Sequence, residues 1–257
     1  MLLTEPPPSQ GDLHLRLFDI PVRVHPFFWV VTVIMGLRGG GEGGTPPAQL
    51  LIWIAIVFVS ILVHELGHAF LQRRFGGRPW ITLHGFGGLA SCDDCDSSPR
   101  SQILIALAGP GAGFLLAAVV IAGLRWSGHT VGWTAAENTP IGMIPISLLG
   151  ATLYFEPLAS RTGSFFILNM LWVNIIWGLV NLLPVYPLDG GRISRELCTL
   201  NHPRRGIVLS LQISIGVAIA MAVFGLLAWQ SLFVALMFGY FAYINYQTLQ
   251  SYQQNRW

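Results

Sequence analysis

The chain has 257 residues, of which 53% are hydrophobic and only 10% are charged, and its formal net charge at pH 7 is +2. Soluble domains carry about 25% charged residues, so this composition excludes an ordinary soluble domain and indicates a membrane protein with several spans. The small net charge also argues against a nucleic-acid partner.

The elements predicted in chain order begin with a short strand in LRLFDIPVRVHP, residues 15–26. Six apolar segments follow, and a membrane helix needs roughly 20 mainly apolar residues. The first of the six is short for a span, and we expect it to be tilted or partly buried. The predicted spans are 26–37, 50–72, 102–124, 165–184, 206–228 and 231–249.

Two segments between the spans are predicted to be something other than membrane helices. Residues 80–90, WITLHGFGGLA, combine β-forming residues with glycines and predict a strand or hairpin after the second span. Residues 141–158 contain Pro145, Glu156 and Pro157, which argue against a seventh span. We predict that they form an interfacial or re-entrant piece of an outer loop from about residue 126 to residue 164.

The arginines predict the direction of the spans. With the N-terminus inside and six spans, only Arg38, Arg125 and Arg161 lie outside, and the remaining arginines lie inside. This bias follows the positive-inside rule. We therefore predict that both termini are cytoplasmic and that the chain lies in the cell membrane of a bacterium or archaeon.

The second span carries the motif HELGH, with His64, Glu65 and His68 in an otherwise apolar segment. Residues four apart share a helix face, so the two histidines can bind one metal ion while Glu65 reaches a water beside it. This is the HExxH zinc arrangement, in which glutamate is the general base. Two core histidines with satisfied hydrogen bonds are the alternative, but ionisable groups within a span are costly and usually functional.

Two histidines leave a catalytic zinc one protein ligand short. The segment NLLPVYPLDGGR, residues 181–192, offers Asp189 at the end of the fourth span. Pro184 and Pro187 prevent a regular helix there, so we expect an irregular segment that presents the carboxylate at the membrane border. An ordinary turn would also favour aspartate and glycine. However, the predicted topology places Asp189 at the depth of the histidines, which favours a ligand.

Asn174 and Asn181 lie on one face of the fourth span, two helical turns apart. They can contact a substrate backbone or hydrogen-bond to neighbouring helices. Asn181 adjoins the irregular segment and is the candidate for the substrate contact.

With these motifs in this order, the chain resembles the site-2 protease family of intramembrane zinc metalloproteases. The shared features are HELGH in the second span, GGLA after it, ALAGP in the third span and NLLPVYPLDGGR at the end of the fourth. The resemblance implies that His64, His68 and Asp189 bind a catalytic zinc and that Glu65 is the catalytic base. It also implies a substrate or oxyanion contact at Asn181 and a transmembrane protein substrate, cleaved in regulated intramembrane proteolysis.

Two departures from the family pattern are visible. Members often carry an asparagine three residues after the proline of AGP, and this chain has Gly113 there. Little room remains for a PDZ or cystathionine-β-synthase-type domain. We therefore expect one integral-membrane domain over residues 1–257, an all-α fold of about six spans with short β segments near the active site. The expected partners are the substrate and membrane lipid; the oligomeric state is not predicted.

Two other functions use the same residues. A metal carrier or transporter would need the histidines but no general base such as Glu65. A different HExxH membrane protease would take a glutamate as its third ligand, and the glutamates that follow the motif are Glu137, Glu156 and Glu196.

The cysteines suggest a further hypothesis. Cys92 and Cys95 form a CxxC pair, and Cys198 lies four residues before His202, both pairs in predicted cytoplasmic loops. These four residues could form a second, structural zinc site. The alternative is three reduced, unrelated cysteines in a cytosolic setting.

Overall fold

The computed structural model describes residues 5–37, 44–85, 87–135, 138–148, 150–200 and 202–254. The helices within these ranges are α1 (Pro26–Leu37), α2 (Pro47–Arg74), α3 (Pro99–Trp126), α4 (Arg161–Trp172), α5 (Gly178–Asn181), α6 (Asp189–Thr199), α7 (Pro203–Leu227) and α8 (Leu232–Gln254). A π-helical turn, Val173–Trp177, joins α4 to α5, so residues 161–181 form one continuous helical segment.

The predicted helical membrane fold is confirmed. Among the described residues, five helical segments are long and apolar enough to cross a membrane: α2, α3, the α4–α5 segment, α7 and α8. The first predicted span, α1, has 12 residues, and at 1.5 Å per residue it is about 18 Å long, less than the roughly 30 Å hydrocarbon core. The extent of the domain over residues 1–257 stays a prediction.

The first sheet contains strands where they were predicted, before α1 and after α2, but the segment before α1, predicted as one short strand, forms a hairpin of two. Its strands are β1 (Leu13–Leu17), β2 (Ile20–Val24), β3 (Arg78–His84) and β4 (Gly87–Asp93), in the order β1-β2-β3-β4. The pair β2–β3 is parallel and the other two pairs are antiparallel. One face of this sheet packs on the second half of α2, where the buried members of β2 and β3 meet Leu62, Leu66 and Ala69.

The second sheet lies between α3 and α4. It contains β5 (Val131–Ala135), β6 (Ile144–Leu148) and β7 (Ala151–Phe155), all antiparallel, in the order β5-β7-β6. Leu153 and Phe155 of β7 are fully buried against residues of α3 and α4. The sequence predicts an interfacial or re-entrant loop here and does not indicate these strands, because five-residue strands give only a weak alternating pattern.

The segment after the fourth span also differs from the expectation. Residues 182–188 are irregular, as the two prolines predicted, but Asp189 is the first residue of α6 rather than part of the irregular segment. A carboxylate in the first helical turn is favourable because the helix dipole is positive there. The glycines that follow bring the turn close to the preceding chain: a Cβ on Gly190 would overlap the carbonyl of Leu182, and one on Gly191 would overlap the backbone of Tyr186.

Candidate active site

The side chains of His64, His68 and Asp189 converge in the protein interior. Both histidines lie on one face of α2, and Asp189 opens α6. His64 Nε2 is 3.0 Å from Asp189 Oδ2, His68 Nε2 is 3.3 Å from Asp189 Oδ1, and the two Nε2 atoms are 3.2 Å apart. All three side chains are buried.

This donor set fits a zinc ion. The three ligand atoms lie within 4.8 Å of one another. His68 Nδ1 lies 2.6 Å from the carbonyl oxygen of Ile105 in α3, and because a carbonyl only accepts, Nδ1 carries the proton. The Nε2 lone pair of His68 therefore points into the site, as a metal ligand requires. Two imidazoles and a carboxylate are a common protein ligand set of catalytic zinc.

The charge of Asp189 also suits a cation site. Burial acts to raise the pKa of this carboxyl group, but the neighbouring His68 and His64 lower it, and the net effect is a pKa below the usual value. The carboxylate is therefore ionised at neutral pH.

Glu65 lies beside this group and contacts the first sheet. Its side chain is buried against Gly88 of β4, where a Cβ would stand 2.5 Å from Glu65 Oε1. The sheet thus approaches the carboxylate to a distance that only glycine permits. The contact places the GGLA motif beside HELGH in the folded chain.

Helix α3 crosses α2 at two glycines. Gly67, the glycine of HELGH, faces α3, where a Cβ would lie 2.9 Å from the Ala112 methyl group. Gly109, of the ALAGP motif, faces the histidines, and a Cβ there would lie 2.7 Å from His64 Nε2. Both glycines allow the backbones to approach closely, so α3 covers the metal ligands on one side.

Two fully buried polar residues hold the irregular segment that leads to Asp189. Ser214 of α7 accepts a hydrogen bond from Tyr186 N (3.1 Å) and donates to Pro184 O (3.2 Å). Asn245 of α8 donates to Tyr186 O at 2.6 Å. Neither residue is among the site residues predicted from the sequence, although a polar side chain within an apolar helix is a detectable signal.

A cavity of about 300 Å³ opens beside the ligands. Its walls come from α1, α2, β3, β4, the α4–α5 segment, α6 and α8. The lining includes aromatic side chains such as Phe28, Trp172 and Phe241, together with Glu65 and Asn181. An apolar cavity with a few convergent polar groups is the usual form of a binding site.

Comparisons with known proteins agree with this geometry. Residues 52–223 match the family model of Peptidase family M50. The chain belongs to peptidase family M50. This family member is 28% identical over 225 residues to sll0528 of Synechocystis sp., which is named a zinc metalloprotease; the match covers 82% of this chain and 52% of that protein. It is 25% identical over 233 residues to zinc metalloprotease MJ0392 of Methanocaldococcus jannaschii, covering 88% and 57%.

A solved structure is similar in fold to this M50 family member. The site-2 protease from Methanocaldococcus jannaschii aligns with a TM-score of 0.56 and 21% identity, covering 93% of this chain and 95% of that one. The family and the fold agree with the resemblance drawn from the motifs. The chain nevertheless spans only about half the length of the two curated relatives.

The two asparagines of the fourth span have different surroundings in this M50 family member. Asn181 is buried and lines the large cavity near the ligands. Asn174 lies in the π-helical turn and donates from Nδ2 to Ser60 Oγ and to Met170 O, at 2.9 Å and 2.8 Å. The structure therefore brings Asn181 to the cavity, while Asn174 bonds to α2 at the turn that precedes His64.

The hypothesis of a second zinc site is wrong for the described residues. Cys92 and Cys95 form a disulfide with each other, and Cys198 is free. Among the described residues, the group formed by the two histidines and Asp189 is the only one able to hold a metal. Neither Glu156 nor Glu196 joins that group, and Glu137 lies outside the described residues.

Proposed function

We propose that this M50 family member is a zinc metalloprotease that hydrolyses peptide bonds in or near the transmembrane segments of other membrane proteins. The observation that supports this most strongly is the convergence of His64, His68 and Asp189 beside Glu65, buried among apolar helices. In this proposal the first three residues hold one zinc ion and Glu65 is the catalytic base.

The chemistry follows from the side chains present. Zinc, when bound, makes water more acidic and polarises a carbonyl group. Glu65 takes a proton from the attacking water and passes it to the leaving amine. Its burial against Gly88 limits where the carboxylate can lie. Asn181 donates from its amide to the carbonyl oxygen of the scissile bond, where negative charge develops.

The substrate must unwind locally, because the amides of a helix are already hydrogen-bonded and protected. Among the described strands, β4 pairs only with β3, so its other edge is available to a further strand. Gly88 of this strand contacts Glu65. An unwound substrate segment that adds to β4 would therefore run beside the catalytic base, with its main chain held by sheet hydrogen bonds.

The test compares Glu65→Gln with the wild type in detergent or liposomes. The variant should lose proteolysis and keep its zinc, because glutamine preserves the size of the side chain but cannot accept the proton. A transporter would keep moving metal after this change, since transport needs ligands but no base. Proteolysis by Glu65→Gln at the wild-type rate would contradict the proposal. Membrane proteins captured by the inactive variant would identify substrates.

The membrane orientation forms part of the same proposal. Both termini lie in the cytoplasm, and the site opens near the cytoplasmic side. Reporter fusions after residue 45 and after residue 140 should therefore report an external location. A cytoplasmic signal from both fusions would overturn this orientation.

A further inference from the structure

The two histidines of HELGH have different hydrogen-bonding environments. His68 donates from Nδ1 to the carbonyl of Ile105. Within the described part of the chain, the hydrogen bonds of His64 use Nε2 alone, toward Asp189 and His68. A neutral imidazole that offers Nε2 to a metal carries its proton on Nδ1, and a buried N–H group without an acceptor is costly. His64 Nδ1 can therefore take a further hydrogen-bond partner.

A small cavity lies next to His64, separate from the large one. Its volume is about 10 Å³, close to the space that one enclosed water needs. Polar walls are necessary for a water to be held there. Three of the lining residues provide them: His64, Ser60 and Asn174, each at least 90% buried.

The hydrogen bonds that Nδ2 donates fix the orientation of the Asn174 side-chain amide. Nδ2 is used by Ser60 Oγ and Met170 O. Within the described residues no hydrogen bond reaches Oδ1, which faces Gly113 of α3: a Cβ on Gly113 would lie 3.6 Å from it. Asn174 lies in a π-helical turn, a feature often found at functional sites. Asn174, whose Oδ1 accepts no hydrogen bond from the described residues, and His64 therefore line the same small cavity.

We propose that Asn174 is a positioning residue of the metal site, acting through one water that accepts the Nδ1–H of His64 and donates to Asn174 Oδ1. The inference rests on the proposed function, since it assumes that His64 binds zinc through Nε2. The partner fixes the tautomer and the ring orientation of His64, as Ile105 does for His68. Gly113 leaves the space for the water, which gives this position a physical role.

The test measures zinc affinity by chelator competition and the visible spectrum of the cobalt-substituted protein, both without substrate. Asn174→Ala removes the acceptor and should weaken zinc binding roughly 10- to 100-fold and shift the cobalt bands. Gly113→Ala should weaken zinc binding in the same way, because its methyl group fills the cavity. The variant should still fold, since that methyl group meets Asn174 at ordinary contact distances of 3.4 and 3.6 Å. This second variant decides the question if Asn174→Ala does not fold.

Asn169→Ala is the matched control, because Asn169 of α4 donates only to Phe165 O one turn earlier, and it should behave as the wild type.

Wild-type zinc affinity and an unshifted cobalt spectrum in both Asn174→Ala and Gly113→Ala would overturn the inference. A wild type that binds zinc but cleaves no peptide bond would contradict the proposed function alone, since these measurements need no substrate.

Discussion

Gly109 of α3 lies directly against His68 of α2, so that a methyl group on Gly109 would overlap His68 Nε2 and stand 2.7 Å from His64 Nε2. Gly109→Ala should therefore weaken zinc binding by at least 10-fold, the scale of changes in the surroundings of metal ligands. Zinc content after dialysis against a chelator measures this.

Gly111→Ala is the control for that change. It lies two residues away on the same helix, and a Cβ there would meet nothing within 4 Å. Since alanine favours helix more than glycine, Gly111→Ala should keep full zinc and unchanged or higher stability. Equal zinc affinity in both variants would contradict the close approach of α3 to the ligands.

Asp189 is expected to be the third ligand. Asp189→Asn keeps the size of the side chain and loses its charge, so zinc affinity should fall at least 10-fold and activity should fall strongly. Asp189→Ala should lower both further. Glu196→Gln, on the same helix, removes a charge outside the metal group and should stay near wild type. Full zinc and activity in Asp189→Ala, with loss of both in Glu196→Gln, would show that the ligand is misassigned.

Gly88→Ala should act on the catalytic base. The added methyl group would displace the Glu65 carboxylate, since a Cβ atom on residue 88 would lie 2.5 Å from Glu65 Oε1. Activity should fall by roughly 10²- to 10⁴-fold, the usual contribution of a positioned acid–base group, while zinc content stays the same. Ser91→Ala, on the same strand, serves as the control. Peptide cleavage assays with parallel metal analysis distinguish this effect from loss of zinc.

Asn245→Ala and Ser214→Ala should loosen the segment that carries Asp189. Each removes hydrogen bonds to the backbone of residues 184–186 and should lower the free energy of unfolding by about 1–3 kcal/mol. Zinc affinity should fall as well, because the ligand is less firmly placed. Thr248→Ala removes only a hydrogen bond to Ile244 O within α8 and should leave zinc affinity unchanged. Wild-type zinc affinity in both test variants would mean that the segment holds its shape without them.

The N-terminal segment should be released in acid. Ser9 and Arg23 hold the pKa of Asp12 down at about 2. The pKa of Glu5 is also lowered: burial opposes the shift, and hydrogen bonds from Thr82, Trp80 and Arg23 outweigh it.

A lowered pKa in the folded state means that the ionised form stabilises the fold. The contribution is complete above the ordinary carboxyl pKa and is lost as the pH falls toward 2. The protection of the backbone amides of Glu5 and residues 9–12 against hydrogen exchange, taken relative to the intrinsic rate at each pH, should therefore fall over this window. Arg23→Gln should move this loss of protection to higher pH, and an unchanged profile would contradict the role of Arg23.

Sequence periodicity determined the parts of the site that lie within one helix. His64 and His68 had to share a face because they are four residues apart on a long apolar helix, and that helix is present as α2. The strands on either side of α1 and α2 also followed from local pattern. The two prolines before Asp189 correctly predicted an irregular segment, but the sequence did not indicate that α6 begins at the carboxylate itself.

Contacts between distant segments were decided only by the tertiary structure. Asp189 meets the histidines across 125 positions of sequence. The packing of α3 and the α4–α5 segment on α2 brings the carbonyl of Ile105 and the side chain of Asn174 to the metal site. No local sequence pattern encodes those distances. Glycines show the same division. The glycines can be read from the motifs HELGH, GGLA and ALAGP. Their partners cannot, because the contacts of Gly88 with Glu65 and of Gly109 with His68 depend on helix crossing and strand register, which are fixed by packing.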